Sequence, residues 1–201
     1  MHSLKNIAAY ILNKYENQVS PMKLQKLLYY VKVWTLVAGE KIIDSNDAFY
    51  AWKHGPVNPG VYHEYKNYGG STIKEKPSYV PLTHTESDLI DFILESYSFY
   101  SAVTLSKTTH SEEPWIINKD FNGRITNQEI LDYYSKEQFA KNFPLNSSEK
   151  YYPPNTTSHF SFVFDMNEND EASTPFFSSL NEYLGKLNSN KKKATRYINS
   201  M

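Results

Sequence analysis

Lys23-Leu24-Gln25-Lys26-Leu27-Leu28-Tyr29-Tyr30 is followed further along the chain by Ala51-Trp52-Lys53-His54-Gly55-Pro56-Val57. In the first stretch Leu24, Leu27 and Leu28, continued by Val31 and by Trp34 or Thr35, recur at helical spacing, which predicts a stripe buried against a neighbouring element. Ser20 stands where a helix cap is needed, and Pro21 takes the first helical position, where its missing N–H is no loss. Gly39 supplies the stop. Lys23, Lys26, Tyr30 and Lys32 fall opposite the stripe with Gln25 at its border, so the spacing predicts one apolar and one hydrogen-bonding face. In the second stretch Gly55 permits a backbone conformation barred to residues with a Cβ, and Pro56 fixes the next step, a turn that aims the third helix.

The flanking sequence reads as further helices. Ser3 caps a segment in which Leu4, Ile7, Ala8, Ile11, Leu12 and Tyr15 share a face, ending near Asn17 and packing on the next helix as a hairpin. Residues 42 to 52 are less periodic and read as either a short strand pair or a helical turn. Asn58 and Pro59 open a third helix carrying Val61, Tyr62 and Tyr65, closed by Gly69-Gly70. After a linker from Pro77 to Pro81, Thr83 with Glu86 forms a capping box for a helix through Leu89, Ile90, Ile93, Leu94 and Tyr97. Val103, Leu105 and Ser106 lead to His110, and Pro114-Trp115 marks the exit. Thr126 with Glu129 repeats the capping box ahead of Ile130, Tyr133, Tyr134 and Phe139. The fold class is therefore mainly α: a compact helical domain over residues 1–143, with a short irregular or β segment around 42–57.

Beyond Pro144 the composition turns to Asn, Ser, Thr and Pro, interrupted by His159-Phe160-Ser161-Phe162-Val163-Phe164, whose alternation predicts a strand or a linear docking segment. Asp165, Glu168, Asp170, Glu171 and Glu182 are then succeeded by Lys186, Lys191, Lys192, Lys193 and Arg196. Residues 144–201 read as a less regular α/β accessory region with a charge-segregated tail.

A chain of 201 residues suits one well-buried domain with a small appendage. A net charge of -1 lacks the basic excess of a nucleic-acid binder, so nucleic acid is not the expected partner. There is no cysteine, which removes disulfides, thiolate metal sites and cysteine nucleophiles and points to the cytoplasm. No apolar run reaches the roughly 20 residues a membrane span needs, and the start of the sequence has no apolar signal core, so no membrane association is expected. The 17 Tyr, 11 Phe and 3 Trp place many rings in the core or on a contact surface; an AT-rich genome favouring Tyr codons accounts for them equally well.

Enzyme templates find no match. Seven scattered glycines build no phosphate loop, and no Gly-x-Ser-x-Gly elbow occurs. His63-Glu64 begins like a zinc-protease helix, but position 67 is Asn. A metal site drawn from His54, His63 and His110 is the weaker reading, so no metal or cofactor is expected. Asp88 with Asp91, and Glu112 with Glu113, read as surface charge. His110 reads as a hydrogen bond to backbone that fixes its bend.

The ordered motifs resemble the SocA-like family, also called the Panacea antitoxin domain. The resemblance rests on Leu24, Leu27, Leu28 and Tyr29 in the first helix stretch and on Trp52, Gly55, Pro56 and Val57 in the turn. Tyr62 in the next helix, and Leu105-Ser106-Lys107 leading through His110 to Trp115, extend it. It covers roughly residues 3 to 135 and implies a helical domain found in toxin–antitoxin pairs and in prophages, one that neutralises toxins by binding them and performs no catalysis. A cognate toxin or a host protein is the expected partner, with Lys23, Gln25, Lys26, Tyr30, Phe160, Phe162 and Phe164 as candidate contacts. Trp52 reads first as a core anchor and second as a contact. The competing functions are modulation of a host factor, a histidine-based metal hydrolase, and nucleic-acid binding through the basic C-terminus.

Overall fold

The computed structural model describes residues 1–143 and 151–154. Helix α1 (Leu4–Lys14) begins where the Ser3 hydroxyl accepts the Asn6 N–H, and α2 (Pro21–Val37) begins where Ser20 does the same for Lys23. Strands β1 (Phe49–Trp52) and β2 (Gly55–Val57) form a hairpin with Tyr50 opposite Val57 and Trp52 opposite Gly55. Lys53 and His54 make the connection, and Gly55, at φ +96, is the positive-φ residue beside it. Helix α3 (Pro59–Tyr65) is capped by Asn58, whose side-chain oxygen accepts the Val61 N–H at 3.0 Å.

Helix α4 (His84–Tyr97) carries the expected reciprocal capping box between Thr83 and Glu86. Helix α5 (Ala102–His110) and the short α6 (Glu113–Ile116) follow. Strand β3 (Arg124–Ile125) then adds to the free side of β1, giving an antiparallel sheet of order β2-β1-β3. This placement leaves β2 at an edge, where Pro56 deprives no central ladder of a donor. Helix α7 (Asn127–Tyr134) starts on the second capping box, Thr126 with Glu129. The chain is thus mainly α with a small sheet, and the ambiguous segment around 42–57 resolves as the β-hairpin.

Helix α2 is the centre of the packing, touching α1, α3, α4, α5, α7 and β2. Every residue from Leu24 to Thr35 is buried. The expected solvated face of α2 therefore does not exist: Gln25, Lys26, Tyr30 and Lys32 are enclosed by the elements that pack on the far side of the apolar stripe. Each finds an internal partner, as buried polar groups must; Lys32 Nζ, for example, donates to the Asp47 carbonyl.

At the far end of α2 the rings condense. Trp34, 2% exposed, packs against Tyr134, Phe139 and Phe143 and donates from Nε1 to the Tyr97 hydroxyl at 2.8 Å. Residues 151–154 return to this cluster. Tyr151 is buried against Phe92 and Phe139, and the Asn142 side chain donates to Tyr152 O and accepts its N–H.

The packing sets a ranking that urea denaturation can check. Trp34→Ala removes a fully buried ring and its hydrogen bond and costs about 3–5 kcal/mol, whereas Thr83→Ala removes one cap and costs about 1 kcal/mol. Equal costs would contradict the central position given to Trp34.

Candidate functional site

Three stretches distant in sequence converge on α2: the β1–β2 turn, the end of α5 and the start of α6. Lys26, 1% exposed, reaches the turn and donates from Nζ to the Pro56 carbonyl at 3.0 Å. The approach is close enough that a Cβ on Gly55 would stand 2.6 Å from Lys26 Nζ and 2.6 Å from Thr109 Oγ1. Gly55 is therefore needed twice, for its φ and for the space its missing side chain leaves. Beside Lys26, Gln25 brackets the peptide of Asn58: its Oε1 accepts the Asn58 N–H at 2.8 Å and its Nε2 donates to Asn58 O at 3.4 Å. Asn58 in turn caps α3 and donates to Ala48 O, so Gln25 sets where α3 starts.

The other side of the turn is held by α5 and α6. The Ser106 hydroxyl donates to His54 O at 3.0 Å, and Trp115 Nε1 donates to Trp52 O at 2.9 Å. His110 lies against the Trp115 ring, centroids 4.1 Å apart, with its Nε2 buried and without a partner among the described residues. Burial, followed by the charges of Lys26 and His54, lowers the pKa of His110. A backbone hydrogen bond at Lys53 opposes that shift and ties this histidine to the β1–β2 turn, not to the bend ahead of Trp115 that the sequence suggests.

Glu112 is the residue that sequence reasoning misplaced. It reads as surface charge, yet it is 7% exposed and receives the Tyr30 and Tyr134 hydroxyls on its two oxygens. Tyr30 is also stacked on Tyr97 at 4.0 Å. Burial pushes Glu112 up to about 7 against the two tyrosine bonds, and burial pushes Lys26 down to about 7 against the attraction of Glu112. Each charge favours the ionised form of the other, but burial outweighs that attraction for both groups. The signal that would have found Glu112 is the number of tyrosines on the predicted inner faces, since buried hydroxyls need an acceptor.

Outside this junction lies an open cleft of about 450 Å³ bounded by the start of α2, the β1–β2 turn and α3. Trp52 and Tyr62 meet edge to face on its wall, centroids 5.1 Å apart, with Met22 and Val57 also lining it. Trp52 is half-buried and belongs to this wall; the core anchor is Trp34. Gln25 and Lys26 are the buried polar members of the lining, and Lys53, His54 and Lys66 are exposed ones. Of the other candidate contacts, Lys23 donates to Ser98 O at the end of α4, and Tyr30 is occupied with Glu112. Phe160, Phe162 and Phe164 lie outside the described residues.

Two measurements check the junction. Gly55→Ala combines left-handed strain with a clash and lowers stability by about 2–4 kcal/mol. Gly39→Ala, at φ +78 with open space around it, carries the strain alone, about 1–2 kcal/mol. Similar costs for the two would refute the close approach at Lys26. For Glu112 the folded pKa lies above the ordinary 4.5, so its contribution is fully present below pH 4.5 and is lost as pH rises towards 7. Stability measured relative to Glu112→Gln therefore declines by on the order of 3 kcal/mol across that window. A difference that stays flat with pH would show that Glu112 is not buried.

Residues 24–116 match the family model described as antitoxin SocA-like, Panacea domain. No curated protein and no solved structure matches the chain. The matched span opens at Leu24 in α2 and closes at Ile116 in α6, so it contains the Lys26–Gly55 junction, the Gln25–Asn58 bracket, Glu112 and most of the cleft wall. The likeness to the antitoxin SocA-like, Panacea domain therefore extends over residues 24–116, from α2 to α6.

Proposed function

We propose that this chain is the antitoxin of a toxin–antitoxin pair, acting in the cytoplasm by direct, non-catalytic binding of a cognate protein toxin. The observation that carries the reading is the Panacea match over residues 24–116. The site geometry supports it. The polar residues of α2 are engaged with backbone and with other buried side chains, as struts of a platform, while the aromatic cleft beside them stays open. Aromatic and methionine side chains such as Trp52, Tyr62 and Met22 are what protein interfaces enrich. No helix among the described residues is long and apolar enough to cross a membrane.

In this proposal residues 1–143 are the binding platform and 144–201 an accessory region that adds partner-specific contacts, Phe160, Phe162 and Phe164 among them. Binding by masking needs no chemistry from the domain, only a surface that excludes the toxin's substrate.

The test is co-expression with the product of the adjacent gene. Growth arrest caused by that product alone is relieved when this chain is made in the same cell, and the two proteins co-purify as a complex. Arrest that persists at full expression of this chain, or an adjacent product that is harmless, would reject the antitoxin reading.

A further inference from the structure

The cleft bounded by the start of α2, the β1–β2 turn and α3 is electrostatically one-sided. Lys26, Lys53, His54 and Lys66 line it, and no Asp or Glu among the described residues does. None of the three lysines forms an ion pair with a described residue. Lys5 with Glu64 and Lys14 with Asp91 are ion pairs elsewhere on the domain, and what distinguishes the cleft is that its lining gathers basic side chains with no acidic one. Lys26 is buried and has one hydrogen-bond acceptor among the described residues, Pro56 O, although an ammonium presents three donors. The exposed Lys53 and Lys66, without an ion pair among the described residues, stand around an aromatic recess in a chain whose net charge is -1, a local feature that composition does not account for.

We propose that this cleft recognises a carboxylate on a protein partner, an Asp or Glu side chain flanked by an apolar residue. The carboxylate meets Lys53 and Lys66 at the rim, and the apolar neighbour packs on Trp52, Tyr62 and Met22. Charge complementarity selects the acidic side chain, and the desolvating aromatic wall makes that selection stronger than it would be in open water. A nucleic-acid strand is the less suitable occupant, because the basic groups surround one recess and do not form a track along the surface. The proposal deepens the antitoxin reading and rests on it for the identity of the partner as a toxin.

The experiment titrates the full-length, isotope-labelled chain with acetyl-Leu-Glu-Leu amide and with its neutral counterpart acetyl-Leu-Gln-Leu amide, reading amide and indole shifts by NMR. The acidic peptide moves Trp52, Lys53 and Tyr62 saturably, and the neutral one binds about tenfold more weakly. Lys53→Glu with Lys66→Glu abolishes the response. Lys74→Glu with Lys136→Glu, equal in charge change and away from the cleft, leaves it intact. Lys66→Glu alone repeats the test with half the charge change. Equal binding of both peptides, equal shifts from inorganic phosphate, or no saturable shift would each overturn the proposal.

Co-expression separates the two readings. If Lys53→Glu with Lys66→Glu folds but no longer neutralises, the cleft is the toxin-binding site. If it still neutralises, the cleft assignment fails and the antitoxin reading stands. If the unaltered chain does not neutralise while the peptide result holds, the antitoxin reading fails and the carboxylate site stands.

Discussion

The enclosure of α2 on every side is the constraint on which the rest of this structure depends. A helix buried from Leu24 to Thr35 cannot leave Gln25, Lys26, Tyr30 or Lys32 to water, so each requires a partner delivered by another part of the chain. Those partners are specific: the peptide of Asn58 for Gln25, the Pro56 carbonyl for Lys26, Glu112 for Tyr30 and the Asp47 carbonyl for Lys32. The polar residues of α2 therefore act as gauges. They fix the distances at which the hairpin, α3 and α6 dock around one helix, a specification that an all-apolar helix would not provide.

The same constraint shapes the surface. Because Lys26 holds the hairpin by Pro56 and Gln25 holds the start of α3, Trp52 and Tyr62 meet edge to face with an open recess in front of them. Trp115 and Ser106 secure the same turn from behind. The cleft is thus built on backbone pinned from both sides, the kind of rigid support a recognition site requires. Enclosing an ammonium and a carboxylate in one interior has a cost, visible in Lys26 and Glu112 both being driven towards neutrality by burial.

Local rules make much of this legible in sequence. Ser3, Ser20, Asn58, Thr83 and Thr126 each cap the helix that the sequence assigns to them, since a cap depends only on residues within one turn. The turn at Gly55-Pro56 is readable for the same reason. The features that escape a sequence reading come from contacts across long separations. Periodicity shows which residues of α2 share a face, but not that a second layer covers the other face, so Lys26 and Tyr30 read as solvated. Glu112 reads as surface charge because its partners Tyr30 and Tyr134 are remote in sequence and belong to different helices. Trp34 is buried as the stripe predicts, but Trp52, read first as a core anchor, is half-buried on the cleft wall, because an aromatic residue's type does not say whether its neighbours close over it.

Native-state hydrogen exchange tests the central place of α2 most directly, because it reads the free energy of opening residue by residue. The account predicts that the amides of Leu27 to Trp34 exchange only through global unfolding, more slowly than those of α7 and α3, which pack against α2 from outside. Exchange of α2 by local opening, at rates equal to or above those of α7, would contradict it.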